Sequence, residues 1–474
     1  MQPTKTLANY VEESQFSDFP EEVVQKATNC ILDAVGCAIG GAQTTVGKQY
    51  VVLAKELDGK RESTLIGDGN KVTMVNASYA NTQLGNVLDF DDVVSHPYSG
   101  AHPGGAIIHS ALAVGEAAGV SGREILTAVV MGYEVSLRIA RAIHSTCEIG
   151  GVRDVLLNSG HKVFGAAVAA GALMGLNRAK LLNAFGIAGS SVPGTAPGTS
   201  RQTRGRPHAV YSVKGNFGLY AMIGTLSALQ AREGLTGSND ILDGNVFWTK
   251  SGALGCGYTE LTRNLGREYE IMKVGFKPVP CCRWTHGAIT AVWNALEGRS
   301  IVPNDIQELM LIGTPRQQTY AWDSMLEAEF STPCAVAMAI LGGEPGPDWY
   351  ITGRFQDQDV RELAKKVKFF PDPEADDVFV KYGLIQCTAK IKTKTGKLVT
   401  GQCVYMKGEP ENPLSDAELE RKFLANSVGI LGQKQARQLM ASLRCLSKAG
   451  QDLHSVVALL GPQEGLKSSK SGGL

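Results

Sequence analysis

From Phe19 to about Arg267 apolar residues recur every three or four positions, a period that predicts helices. In residues 21–41 they fall at Val24, Ala27, Ile31, Ala34, Val35 and Ala38, one face of a helix that a glycine then stops. Ser121 and Glu124 make a capping box, each able to satisfy a free backbone N–H, and open an amphipathic helix through Ile143. Further helices are predicted from Asn177 through Ile187 and after Lys214. Strand signals are almost absent over this stretch. Near residue 270 the pattern changes. KPVPCCRWTH (277–286) leads into a helix, AITAVWNALEGR, and ELMLIGTP (308–315) is a short apolar run between turn formers. Residues 384–406 alternate by twos around a Thr-Gly turn, the mark of a β-hairpin. Ser415 and Glu418 form a second capping box, after which the chain is helical again. The expected fold is mainly α with an α+β second domain. Residues 1–270 and 408–460 would form a large all-helical domain, 271–407 a smaller α+β domain inserted before the C-terminal helices, and 461–474 a flexible tail. Sites often lie between domains so arranged.

Composition narrows the function. Lys+Arg and Asp+Glu both number 46, and this balance excludes the basic excess of a nucleic-acid binder. No polybasic segment suits a membrane surface, and no apolar run nears the ~20 residues needed to cross one. The N-terminus is polar and acidic, without the regions of a signal peptide, so a soluble, cytoplasmic protein is expected. Ten cysteines are too few and scattered for a disulfide scaffold. Cys30, Cys37, Cys147, Cys256 and Cys445 sit among apolar or small residues and read as buried thiols. With no C-x-x-C, no H-E-x-x-H, and the adjacent Cys281 and Cys282 pointing apart, no metal site is expected. Glycine is abundant (55 residues) and clusters with alanine at 104–122 and 164–176, which predicts closely packed helices.

Three segments concentrate groups capable of chemistry. Residues 88–106 hold Asp89, Asp91, Asp92, His96 and His102 in a stretch too irregular for a helix. A carboxylate can orient an imidazole and tune its pKa, as acid–base catalysis requires; a surface loop of turn formers is the bland alternative. Residues 198–218 carry Arg201, Arg204, Arg206 and Lys214 before a predicted helix start, a setting that suits carboxylates or merely a solvated basic loop. In 277–286 two prolines stiffen the backbone behind Lys277, Arg283 and His286, fitting a site or a domain junction. No GxGxxG follows a strand, and no P-loop or GxSxG occurs, so nucleotide and hydrolase readings lack support. Together the clusters suggest bases facing a small polyanion.

The combination of LDFDD…HPGGA (88–106), FGAAVAAGALMGL (164–176), RQTRG…SVKG…LQAREGLTG (201–237), KPVPCCRWTH and GEPENPLSDAELERKF (408–423) resembles the MmgE/PrpD family over nearly the whole chain. The resemblance implies an all-helical domain with a smaller α+β lid, a homodimer, a pocket between the domains, and neither metal nor organic cofactor. It implies activities such as 2-methylcitrate dehydration, cis-aconitate decarboxylation or iminodisuccinate epimerisation. By that likeness Asp89, His102, Lys214 and His286 are the catalytic residues, and His96, His161, Arg204, Lys277 and Arg283 the substrate-binding ones. The sequence departs from the family at Val93, where the decarboxylase has threonine, and at Cys334, where an aromatic is expected. It departs again at Gly215-Asn216-Phe217, in place of a basic R-L-H. A histidine expected before residue 164 has only Asp154 and His161 as candidates. The shared chemistry is proton removal or addition at carbon beside carboxylates. His102 would be the base, oriented by Asp89, and His286 the opposing acid, with Lys214, Lys277 and Arg283 neutralising enolate charge. Dehydration of a hydroxy di- or tricarboxylate is the first expectation, isomerisation or epimerisation the second and decarboxylation the third; an inactive organic-acid-binding protein is the alternative of another class.

Overall fold

A computed structural model describes residues 2–57, 59–95, 101–144, 157–192, 214–250, 255–313, 318–341 and 343–463. The expected tail lies almost wholly outside them, as does Cys147. The helices that position the site are α1 (Glu21–Ala42), α2 (Met74–Asn86), α3 (Gly104–Ala118), α4 (Gly122–His144), α5 (Leu157–Leu173), α6 (Arg178–Ser190) and α7 (Gly218–Arg232). The predicted caps are present. Glu124 accepts from the Ser121 N–H at 2.7 Å while Ser121 Oγ accepts from Glu124 N–H at 3.3 Å, and Asn177 caps α6 one way, its side chain accepting from the Lys180 N–H at 3.1 Å. The fold is mainly α with an α+β part, as expected.

Small residues set the helix packing. Helix α5 lies against α3, α4 and α7. A Cβ on Gly165 would sit 2.8 Å from Ser136 Cβ and 2.9 Å from the Gly132 carbonyl oxygen, too close for any side chain. The glycine-alanine stretches therefore serve axis-to-axis contact.

The α+β part contains α8 (His286–Leu296), α9 (Met325–Glu329), α10 (Thr332–Leu341) and strands β1 (Ile306–Gly313), β2 (Val367–Pro371), β3 (Cys387–Thr393) and β4 (Leu398–Cys403). The sheet order is β2-β1-β3-β4; β1 and β2 are parallel, the other pairs antiparallel. The hairpin read from alternation is β3–β4, with Cys387 opposite Cys403. Strand β2 has no alternation in sequence; its place comes from a crossover through Lys366, whose backbone carbonyl already accepts from Leu309. A two-residue ribbon, Ser63–Thr64 against Lys71–Val72, interrupts the helical stretch and is too short to leave a period.

Helix α11 (Asp416–Arg444) returns to pack on α1, opened by the Ser415–Glu418 capping box. Two hydrophobic cores result. The first joins the N-terminal helices with Leu419, Phe423, Leu431 and Leu439 of α11; the second gathers residues between Val279 and Met406. The segment after α2 is shared. Leu88 and Phe90 belong to the second core, Val94 and Ala101 to the first. Cys30 and Cys37 are buried as expected, whereas Cys256 and Cys445 are half-buried. No single described helix is long and apolar enough to cross a membrane; α1 passes only with Thr45–Glu56, across a 95° bend.

Candidate active site

Residues 88–95 are not the surface loop of the bland reading. Asp89, Asp91, Asp92 and His102 are all buried. Helix α2 ends at Asn86, and the Asp89 N–H donates back to the Asn86 carbonyl at 3.0 Å. Val93 and Gly275 then exchange backbone hydrogen bonds at 3.0 and 2.8 Å, and Val94 and Ala101 do so at 2.8 and 3.1 Å. These pin both ends of the acidic turn. Asp89 itself sits at φ +43, a region that strains a residue with a Cβ and persists only where neighbours hold it. Lys277 does so, donating to the Asp89 carbonyl at 2.6 Å and pairing with its carboxylate. Lys422 of α11 donates to the next carbonyl, Phe90 O, at 2.7 Å, lies 4.0 Å over the Phe90 ring, and forms an ion pair with Asp33 of α1 at 2.6 Å.

The catalytic candidates converge here. Lys214 Nζ lies 2.8 Å from Asp89 Oδ1 and 2.7 Å from His102 Nε2. On the other side of the ring, His102 Nδ1 faces the Asp92 carbonyl at 3.0 Å and Asp91 Oδ2 at 3.5 Å. Those partners fix the tautomer: Nδ1–H donates to the carbonyl, and the Nε2 lone pair accepts from Lys214. The orienting groups are thus Asp91 and Asp92, not Asp89 as expected. A side chain three residues back, in a left-handed turn, points to the lysines instead. Behind the turn, Asp92 accepts from Tyr133 Oη at 2.6 Å and Gly104 N–H at 3.1 Å. Any side chain at Gly104 would collide with that carboxylate.

The charges are set by competition. Burial alone would raise the Asp89 carboxyl, but Lys214 and Lys277 hold it below the ordinary carboxylate range; His102 and Lys277 do the same for Asp91. Burial would discharge Lys277, yet Asp89 and Asp91 keep it firmly protonated. Burial, reinforced by Lys214, lowers His102 to about 4, so its ring is a neutral base. Burial raises Asp92, which pairs with no cation among the described residues, to about 7.

Arg283 and His286 stand beside this cluster. Arg283 donates to Ser95 Oγ at 3.1 Å and to the Lys407 carbonyl at 3.1 Å, pairs with Glu409 at 3.3 Å, and reaches His286 Nδ1 at 3.4 Å. Burial and then Arg283 hold His286 well below 6.5. It too is neutral, a poor fit to the acid role expected of it. His161 is buried on α5 with Nδ1 2.8 Å from Ser136 Oγ, within helix packing. His96 and Arg204 lie outside the described residues.

Two buried groups were missed. Lys162 of α5 lies 3.7 Å over the Phe217 ring, whose centroid is 6.1 Å from that of His102; burial lowers it to about 7. Its neighbour His161 is one of two candidates, neither convincingly aligned, for the histidine expected before residue 164, and the lysine reads as an ordinary helix residue. The other, Glu329, ends α9. Asp89, Asp91 and His102 also offer ligand atoms within 4.8 Å of one another, a spacing a divalent cation could use. Two ammonium groups already neutralise the carboxylates there. A cleft of about 740 Å³ bordered by Pro278, Trp293, Lys407 and Arg421 touches none of Asp89, His102, Lys214 or His286; the ionisable cluster marks the site.

Residues 5–252 match the model of the MmgE/PrpD N-terminal domain and 279–448 that of the MmgE/PrpD C-terminal domain. The chain is 26% identical over 471 residues to the cis-aconitate decarboxylase of Mus musculus, covering 92% of this chain and 89% of that one. It is likewise 26% identical over 461 residues to the Homo sapiens cis-aconitate decarboxylase, covering 94% and 91%. With the Aspergillus terreus cis-aconitate decarboxylase, 26% identity extends over 313 residues, 62% of this chain and 60% of that protein.

Proposed function

Since this chain belongs to the MmgE/PrpD family, we propose that it is a lyase of small unsaturated di- or tricarboxylates, decarboxylating an acid of the cis-aconitate type. The observation that carries the reading is the Lys214–His102 contact of 2.7 Å, itself seated on Asp89. Decarboxylation breaks a C–C bond; CO2 leaves, the electron pair flows into the conjugated carboxylate, and one carbon takes up a proton. The step needs fixed cations where charge develops and a proton carrier at the carbon. Lys214 can deliver that proton, with the His102 Nε2 lone pair positioned to orient the ammonium that carries it. Asp89 holds the ammonium in place, and Asp91 and Asp92 hold the ring.

Dehydration, the reaction ranked first from sequence, makes the same demands with the proton moving the other way. Its support is the wording RQTRG…SVKG (201–215), closer to the methylcitrate dehydratase branch than to the decarboxylase, whereas the Val93 and Cys334 departures speak for a family member that only binds. The relatives weigh more, so decarboxylation takes first place.

Purified protein given cis-aconitate in heavy water is expected to release CO2 and incorporate deuterium into the product, followed by NMR. Water loss from a hydroxy tricarboxylate with no CO2 from cis-aconitate would make the protein a dehydratase. Affinity for these acids with no exchange would make it a binding protein.

A further inference from the structure

Glu329 is 1% exposed, and among the described residues neither of its carboxyl oxygens has a hydrogen-bond partner. Such a group is rare in a folded protein and calls for an explanation. Its backbone carbonyl accepts from the Cys282 N–H at 2.9 Å, which ties α9 to the segment carrying Lys277 and Arg283. Tyr350 Oη donates to Pro280 O and holds the same segment from within the α+β part. The charged groups acting on Glu329 are Asp89, Lys277, Lys214 and Asp91, which are the groups of the candidate active site.

Resting on the carboxylate-lyase reading above, we infer that Glu329 is a substrate-binding residue contributed by the α+β part, its carboxyl O–H donating a hydrogen bond to a carboxylate of the bound acid. Burial, with Asp89 adding to it, holds this carboxyl well above the ordinary range, so the proton needed for donation is present. The nearby cations are already engaged: Lys277 by Asp89 and Asp91, and Lys214 by Asp89. An un-ionised acid therefore grips a further carboxylate without a further cation, and O–H···O⁻ bonds are among the strong ones. An amine at the same end of the substrate would require Glu329 to ionise beside two existing anions. The contact therefore selects a carboxylate against an amine.

The test compares wild type, Glu329→Gln and Glu329→Leu on cis-aconitate, with melting temperatures as a control. Leucine should raise KM by about tenfold to a hundredfold with kcat much less affected, and glutamine, a weaker neutral donor, by less. A leucine variant with wild-type KM overturns the inference and leaves the lyase reading standing. If the wild type turns over no carboxylate, the lyase reading fails and infrared spectroscopy decides. A carbonyl band of an un-ionised acid, present at neutral pH, missing in Glu329→Gln and displaced by tricarballylate, supports the contact. A band that tricarballylate does not move overturns it, and this arm does not depend on the leucine variant folding.

Discussion

His102 is held neutral by burial and by Lys214, and both have consequences on a pH axis. Its value is about 4 in the folded protein against ~6.5 unfolded, so below pH 6.5 the unfolded chain takes up a proton that the folded chain refuses. The stabilisation is complete above pH 6.5 and is lost as pH falls through 4. It is worth on the order of 3 kcal/mol. Urea unfolding at pH 7 and pH 4.5 is expected to differ less for His102→Gln than for wild type. In kcat/KM the base should stay competent well below the usual histidine range. Lys214→Met removes the cation 2.7 Å away, so His102 becomes easier to protonate and the acid limb of the residual activity moves to higher pH. An unmoved limb would mean that another group titrates. Because ammonium groups already neutralise Asp89 and Asp91, deuterium exchange is also expected to persist after exhaustive EDTA treatment. Loss restored by one divalent ion would assign those carboxylates to a metal.

Among the elements, what the sequence made legible is local. Ser121–Glu124 and Ser415–Glu418 cap helices within four residues of chain, and β3–β4 pairs across one turn. Candidate catalytic residues stood out where aspartate, histidine and basic residues cluster, and the family likeness chose among them. What stayed hidden is burial and long-range contact. The acidic turn reads as a polar surface loop, yet Phe90 and Val94 sink it between two cores. Lys422 is one charge on an amphipathic helix until Asp33 and Phe90 O, hundreds of residues upstream, meet it. Lys422→Met leaves Asp33 buried without its partner and should cost about 3–5 kcal/mol in denaturant unfolding. Adding Asp33→Asn should recover most of that stability, because no lone charge remains. It should not recover turnover, because the Phe90 carbonyl beside Asp89 is still unheld. If the double variant regains full activity, Lys422 supports the fold alone.

For the whole molecule, the site is assembled from Asp89 and His102 between helices, Lys214 ahead of α7, Lys277 and His286 from the α+β part, and the backing of α11. Each half therefore stabilises the other, and a ligand that touches both should raise the melting temperature of the whole chain in one transition; at a hundred times its Kd the gain is ~2.7 kcal/mol. Two separate transitions, with only one shifted by cis-aconitate, would mean that the site belongs to one half. The Lys422 brace also places the site in time. Phe90 and Lys422 are 332 residues apart, and a ribosome adding about 5–20 residues per second makes them roughly 15–70 s apart. Throughout that interval the nascent chain comes to hold every proton-carrying group named here, with nothing yet gripping the carbonyl beside Asp89. Activity would begin only when the helix synthesised after all of them folds back.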